Sequence, residues 1–164
     1  MSIESVLEVA QYLTFKLDDE IFALDISKVR EVLDYTTVTK VPNTPAFMRG
    51  VINVRGSVIP VVDVKLKFGM AITEKSVNTC IIILEVVVDG ETLVVGALAD
   101  SVEEVIDLDS GHIEPAPRIG TRLRTDFIKG MGKQNERFII LLDMDKVFSS
   151  DELAQVRTDS PAEV

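Results

Sequence analysis

The sequence predicts an all-β protein with a few short helices, arranged as two related lobes that share one core. Three observations carry this. Val and Ile together make up 38 of the 164 residues, and the mean hydropathy is +0.25. β-branched side chains lose rotamer freedom in helices and pack well on pleated sheets. The chain also breaks into nine or ten short apolar runs separated by turn residues, a spacing that favours barrels or sandwiches. Finally, it repeats itself. Phe47-Met48-Arg49-Gly50-Val51 and Ile59-Pro60-Val61-Val62-Asp63-Val64 recur at an offset of 80 as Phe127-Ile128-Lys129-Gly130-Met131 and Ile139-Ile140-Leu141-Leu142-Asp143-Met144. Upstream, Val29-Arg30-Glu31-Val32-Leu33 recurs at an offset of 73 as Val102-Glu103-Glu104-Val105-Ile106. Lobes of about 65–70 residues bury little surface alone, so they are expected to share a core and to leave a groove at their junction.

The elements follow in order. Residues 1–9 form an N-terminal arm. Tyr12–Leu17 alternates like a half-buried strand, Asp18-Asp19-Glu20 is a three-residue turn, and Ile21–Leu24 returns. Asp25 is a candidate N-cap for a short helix over about 25–31, on the spacing of Ile26, Val29, Val32 and Leu33. Pro42 and Pro45 mark a loop. Gly50–Gly56 leads into the apolar strand Ser57–Val64, where Pro60 cannot donate to a ladder and is expected at an edge or bulge. Lys65–Phe68 is one helical turn closed by Gly69. Asp89-Gly90 between Asn78–Val88 and Thr92–Ala99 is a strong hairpin signal. Ser101–Leu108 alternates apolar and acidic residues, and Glu114–Pro117 is a proline loop. Phe127–Gly132 and Arg137–Asp143 are two further strands, and Asp143–Phe148 a short helix. Residues 151–164 form an acidic C-terminal tail.

Charge and chemistry exclude whole classes of function. The formal net charge is −10, a field that repels nucleic acid and anionic membranes alike. It is unevenly spread: residues 1–78 carry 9 basic and 10 acidic side chains, and residues 79–164 carry 8 and 17. Within 28–75 the balance turns positive, with 8 basic against 4 acidic. One Cys and one His leave no disulfide and no Cys- or His-clustered metal site. No apolar run reaches the roughly 18 residues of a membrane span, and residues 1–10 lack the basic start of a signal peptide. A reduced, cytoplasmic location is the expectation, with no cofactor and no metal.

The catalytic inventory is thin. Ser57, His112 and Asp63 supply the residue types of a triad, but no nucleophile-elbow pattern surrounds Ser57. Cys80 sits within an apolar run, as inert packing does. No Gly-Lys-Ser/Thr phosphate loop is present. The acids Asp100, Glu103, Glu104, Asp107 and Asp109 lack a calcium-loop pattern, which leaves a solvated face or a docking surface for a basic partner. The most informative stretch is Asn53-Val54-Arg55-Gly56-Ser57-Val58-Ile59-Pro60-Val61-Val62-Asp63. Arg55 either forks onto a carboxylate such as Asp63 or onto backbone carbonyls, or it binds a partner that Gly56 lets approach closely.

This stretch, within Asn43–Val64, resembles the CheW family, the adaptors of bacterial chemosensory arrays. The Asn-x-Arg-Gly-x-x-x-Pro-Val-Val-Asp core is specific. The Phe15/Phe22 hairpin, Asp100-Ser101-Val102 and Glu114-Pro115-Ala116-Pro117 extend the match from about Tyr12 to Ser149. One departure is Ser101, where many relatives have Gly. The resemblance implies two SH3-like five-stranded β-barrels within a domain over 10–150, lobe 1 at about 14–78 and lobe 2 at about 79–143, with the termini packing across the lobes. It also implies a non-catalytic adaptor that couples methyl-accepting chemotaxis receptors to the CheA histidine kinase. Its partners would be the kinase's regulatory domain, the helical cytoplasmic tip of the receptors and other CheW-like domains in array rings. A relative serving a non-flagellar output, such as surface motility, would share these features. A small β-barrel oligonucleotide binder is the remote alternative, short of the exposed aromatics that function uses. Carried over by position, the partner-binding residues are Val29, Glu31, Gly50, Arg55, Gly56 and Val102.

Overall fold

The computed structural model describes residues 9–115 and 127–147. Eleven strands run through these residues: β1 (Val9–Leu17), β2 (Glu20–Asp25), β3 (Val29–Asp34), β4 (Met48–Val54), β5 (Ser57–Val62), β6 (Cys80–Val88), β7 (Glu91–Ala99), β8 (Ser101–Asp109), β9 (Ile113–Glu114), β10 (Ile128–Gln134) and β11 (Arg137–Leu142). One α-helical turn, α1 (Val64–Lys67), follows β5, and 3-10 turns occupy Ile26–Lys28, Ser110–His112 and Met144–Lys146. Of the expected arm 1–9, residues 1–8 lie outside the described residues and Val9 already begins β1; the tail, Ala116 and Pro117 also lie outside them.

The strands form two sheets of one design. The five-stranded sheet has the order β3-β6-β7-β5-β4, and the six-stranded sheet the order β8-β1-β2-β11-β10-β9. In each, a hairpin pairs antiparallel with the first strand of the repeat, at β3–β6 and at β8–β1. The other hairpin strand runs parallel to the last strand of the repeat, at β5–β7 and at β2–β11. Both sheets curl until the continuation of the first strand meets the far edge. Thr39 bridges Val51 in one, and Glu114 pairs with Met131 in the other. The result is two small barrels, and the offset-80 repeat falls on β4–β5 and β10–β11.

The lobe boundaries need correction. The sheets divide the chain into residues 29–99 on one side and residues 9–25 with 101–142 on the other, not into 14–78 and 79–143. Each barrel is completed by the hairpin belonging to the other repeat. Repetition in sequence identifies equivalent segments but not which copy of the hairpin closes which sheet. The links that cross between sheets are short: the turn Ile26–Lys28 after β2, and Asp100 alone between β7 and β8.

This exchange explains the apolar runs. Ile81 and Ile83 of β6 point into the first barrel with Ile52, Ile59, Val61 and Leu98. Their neighbours Ile82, Leu84 and Val86 face a larger core between the barrels. β6 is thus buried on both faces, and near-continuous hydrophobicity replaces alternation. In the same way Tyr12 faces the second barrel's interior while Leu13, Phe15 and Leu17 face the shared core. Four rings stack through that core, with Phe68 of the first barrel set between Phe22 and Phe127 of the second, and Phe15–Phe22, Phe22–Phe68 and Phe68–Phe127 at centroid distances of 6.1, 5.9 and 4.6 Å. Such stacking adds about 0.5–1.5 kcal/mol per pair beyond area burial.

Local differences have local causes. The first turn is two residues, since Leu17 pairs directly with Glu20 and Asp18 takes φ +57°. The helix expected over 25–31 is only a 3-10 turn at 26–28, because Val29 onward pairs with β6, where β-branched side chains fit. Pro60 is at neither an edge nor a bulge, since β5 lies between β7 and β4, but the parallel ladder to β7 begins only at Val61, so its missing N–H costs that ladder nothing. Asp25 caps the turn, its Oδ1 accepting from Ser27 N and Oγ at 2.9 and 2.8 Å. Burial pushes the Asp25 carboxyl up, but these bonds and the charges of Lys129 and Lys28 outweigh it and hold its pKa below the ordinary 3.8. A group with a depressed folded-state pKa contributes stability in full above its unfolded pKa and loses it as pH falls through the folded value. Stability to urea is therefore expected to drop as pH is lowered from about 5 toward 3, and Asp25→Asn should make that drop shallower.

Candidate functional site

Arg55 and Gly56 form the tight turn between β4 and β5, with φ of +49° and +89°. Left-handed backbone suits Gly56 but is uncommon for arginine. Asn53 holds the turn, its Oδ1 accepting from Gly56 N at 2.9 Å. The turn aims the guanidinium across the mouth of the first barrel at Glu31 on β3. Nη1 donates to Oε1 at 3.3 Å, and Nη2 donates to Oε2 in a shorter bond. This fork-on-fork geometry fixes direction as well as charge. The hydrogen bond to Arg55, with its charge, lowers the pKa of Glu31 against a smaller effect of desolvation. The same bond raises that of Arg55. Both groups therefore stay ionised at any physiological pH. Arg55 keeps 73% of its side chain exposed, so the pair straps the barrel mouth and still faces outward.

An open depression of about 720 Å³ lies around this strap, lined by Arg30, Glu31, Val54, Arg55, Val58 and Ile83, among others. Arg30 pairs with Glu85 at 2.8 Å on its rim. Its counterpart on the second barrel is lined by Thr14, Lys16, Glu103, Glu104, Asn135 and Arg137, among others. There Asn135 stands at the position of Arg55, so Glu104 has no arginine strap. The rim pair is sign-inverted, with Lys16 against Glu103 at 3.5 Å.

The six candidate residues separate into groups. Glu31, Arg55 and Gly56 come together at the first barrel's mouth. Val29 is the first residue of β3 and Val102 the second of the equivalent β8, and each packs half-buried against the shared core. Gly50 is buried in β4 beside Thr39, where it permits barrel closure. Asp63, weighed as a partner of Arg55, is elsewhere. It accepts from Thr73 N and Oγ1 at 2.8 and 2.7 Å and lies 3.5 Å from Arg49. Ser57 and Asp63 belong to the first barrel, while His112 follows β8 and binds Asp109 at 2.6 Å, so the three form no triad. The acids of β8 are partly paired, as Glu103 and Asp109 show. Among the described residues no His, Cys, Asp and Glu group can hold a metal ion. Among them, too, no helix is long and apolar enough to cross a membrane. Burial pushes the Cys80 thiol pKa up.

Sequence reasoning missed the exposed apolar side chains. Val58 and Phe138, 53% and 56% exposed, occupy equivalent positions, as do Val32 and Val105 at 39% and 48%. The offset-80 and offset-73 repeats held this signal, but exposure is invisible before the barrels are built.

Comparison with known proteins agrees with this architecture. Residues 11–152 match the family model described as CheW-like domain. Chemotaxis protein CheW of Klebsiella aerogenes is 38% identical over 146 residues, covering 89% of this chain and 86% of the relative. Chemotaxis protein CheW of Rhizobium meliloti is 34% identical, covering 87% and 89%. The crystal structure of the scaffolding protein TtCheW from Thermoanaerobacter tengcongensis superposes with a TM-score of 0.76 at 36% identity, covering 88% of this chain and 91% of that one.

Proposed function

The chain belongs to the CheW family of chemotaxis adaptors, and from that premise we propose that it acts in the cytoplasm as the non-catalytic link between methyl-accepting chemotaxis receptors and a CheA-type histidine kinase. The observation that carries this reading is the Glu31–Arg55 strap, an ion pair built on a left-handed turn and held at the surface. A purely internal pair gains little from such exposure. A docking site gains a charged, directed edge beside apolar surface. Val29 and Val102 flank the junction of the barrels, where the apolar face of a receptor helix would lie. Gly50 and Gly56 act on that site through the backbone, the first by closing the barrel and the second by shaping the turn.

The kinase contact uses the regulatory domain, itself a CheW-like fold in the family. The equivalent exposed pairs Val32/Val58 and Val105/Phe138 support a further role for the barrels' outer surfaces, as contacts with other CheW-like domains in array rings. Binding shifts the kinase between its states without chemistry by the adaptor. Reconstitution tests the reading. The purified protein, a receptor cytoplasmic fragment and a CheA-type kinase should co-sediment, and the protein should raise receptor-dependent kinase autophosphorylation several-fold. Unchanged autophosphorylation together with absent co-sedimentation overturns it.

A further inference from the structure

We infer that two ionic clamps of opposite sign lock the angle between the barrels, with Lys65 and Asp145 as the positioning residues. They stand at the same repeat position, in the helical turns that follow β5 and β11. Each reaches out of its own barrel to the hairpin of the other and to one of the crossing links.

Lys65 leaves the first barrel with its side chain 5% exposed. Its Nζ donates to Asp18 Oδ1 at 2.5 Å, at the tip of the β1–β2 hairpin, and to Asp100 Oδ2 at 3.1 Å, in the link between β7 and β8. Asp18 N donates to the same Asp100 oxygen at 2.6 Å, so the triangle is closed. Burial disfavours the ammonium, yet the two carboxylates outweigh it and leave the Lys65 pKa raised. A buried ammonium held this way is intolerant of losing either partner.

Asp145 leaves the second barrel and does the reverse. Its Oδ1 accepts from Val87 N of β6 at 2.7 Å, and its Oδ2 accepts from Lys28 Nζ at 3.2 Å, in the link between β2 and β3. Lysine gripping acids in one clamp is matched by aspartate gripping a lysine and an N–H in the other. Opposite signs keep the clamps from exchanging partners, since Lys28 Nζ and Val87 N offer Lys65 no acceptor, and Asp145 would face the carboxylates of Asp18 and Asp100.

The test uses the isolated protein with Cys80→Ala and spin labels at Val58→Cys and Phe138→Cys, one on each barrel. Pulsed dipolar spectroscopy should give a narrow inter-barrel distance distribution. Lys65→Met with Asp145→Ala should broaden it at least twofold while the circular dichroism stays that of a folded β protein. A folded double variant with an unchanged distribution overturns the proposal. Should that variant not fold, charge reversal decides. Lys65→Asp should broaden the distribution or unfold the protein, and adding Asp100→Lys, which copies the sign of the second clamp, should restore the narrow distribution. Failure of this restoration also overturns the proposal. Kinase stimulation by the clamp variants, made with Val58 and Phe138 intact, rests on the adaptor reading and is scored separately. Broadened distances with intact stimulation would leave the clamps standing and remove the need for a fixed angle in coupling.

Discussion

Replacing Gly50 with valine is expected to lower the unfolding free energy by about 3–5 kcal/mol, combining backbone strain with overpacking. Gly50 has φ +149°, and a Cβ there would lie 2.3 Å from Thr39 O and 2.6 Å from Val38 Cγ1. The obstacle is backbone, and backbone that bonds to β4: Thr39 N donates to Val51 O at 2.9 Å, and Val51 N to Thr39 O at 2.8 Å. The chain cannot retreat without opening the seam that closes the first barrel. Gly56→Ala is the matched control. Gly56 also has positive φ, at +89°, but nothing lies within 4 Å of a Cβ there, so only the backbone cost of about 1 kcal/mol remains. Urea unfolding of the two variants separates these cases, and equal losses would refute a steric seam at Gly50. The repeat extends the argument. A Cβ on Gly130 would meet Ile113 Cγ2 at 2.7 Å and Glu114 O at 2.9 Å, the same approach in the second barrel.

Arg55→Glu is expected to abolish receptor-dependent kinase stimulation and to weaken receptor binding at least tenfold, with little change in urea stability. The substitution sets two carboxylates face to face where a bidentate pair stood, and both can turn into solvent, so folding is barely affected. The site loses its cation and its direction together. The reversal Glu31→Arg with Arg55→Glu distinguishes two modes of action. If the pair serves only to strap the barrel mouth, the exchange restores binding. If Arg55 meets a receptor carboxylate directly, the strap re-forms and binding stays lost. Co-sedimentation with receptor fragments and kinase autophosphorylation measure both. Wild-type binding and stimulation by Arg55→Glu would remove Arg55 from the site altogether.

Much of this protein was legible before its structure. Asp89-Gly90 announced its hairpin because φ of +53° and +77° suits few other pairs. The offset-80 repeat announced two equivalent strand pairs, and the Asn53–Asp63 motif pointed to Arg55. What stayed hidden depends on distance in space. The carboxylate that receives Arg55 is 24 residues away on β3, while Asp63, much nearer along the chain, offered itself as an equally good acceptor. The clamp at Lys65 joins residues 47 and 35 positions apart, and a lysine beside Leu66 and Lys67 reads as ordinary helix surface. Lobe membership was misplaced for a similar reason. Local pattern identifies a strand, but partner choice follows from which faces must be buried, and those are known only once both barrels exist.

The exchanged hairpins give the protein an asymmetry in time. As the chain leaves the ribosome, residues 9–25 emerge long before the strands they pair with, Ser101–Asp109 and Arg137–Leu142. The first barrel, residues 29–99, meets no such delay, because all its strands are consecutive. It can close while translation continues. An isolated hairpin is marginal in water, so Phe15, Leu17, Phe22 and Leu24 must shelter against the finished barrel or a chaperone until synthesis reaches β11. The same threading that welds two lobes into one body thus makes the second barrel wait for β11.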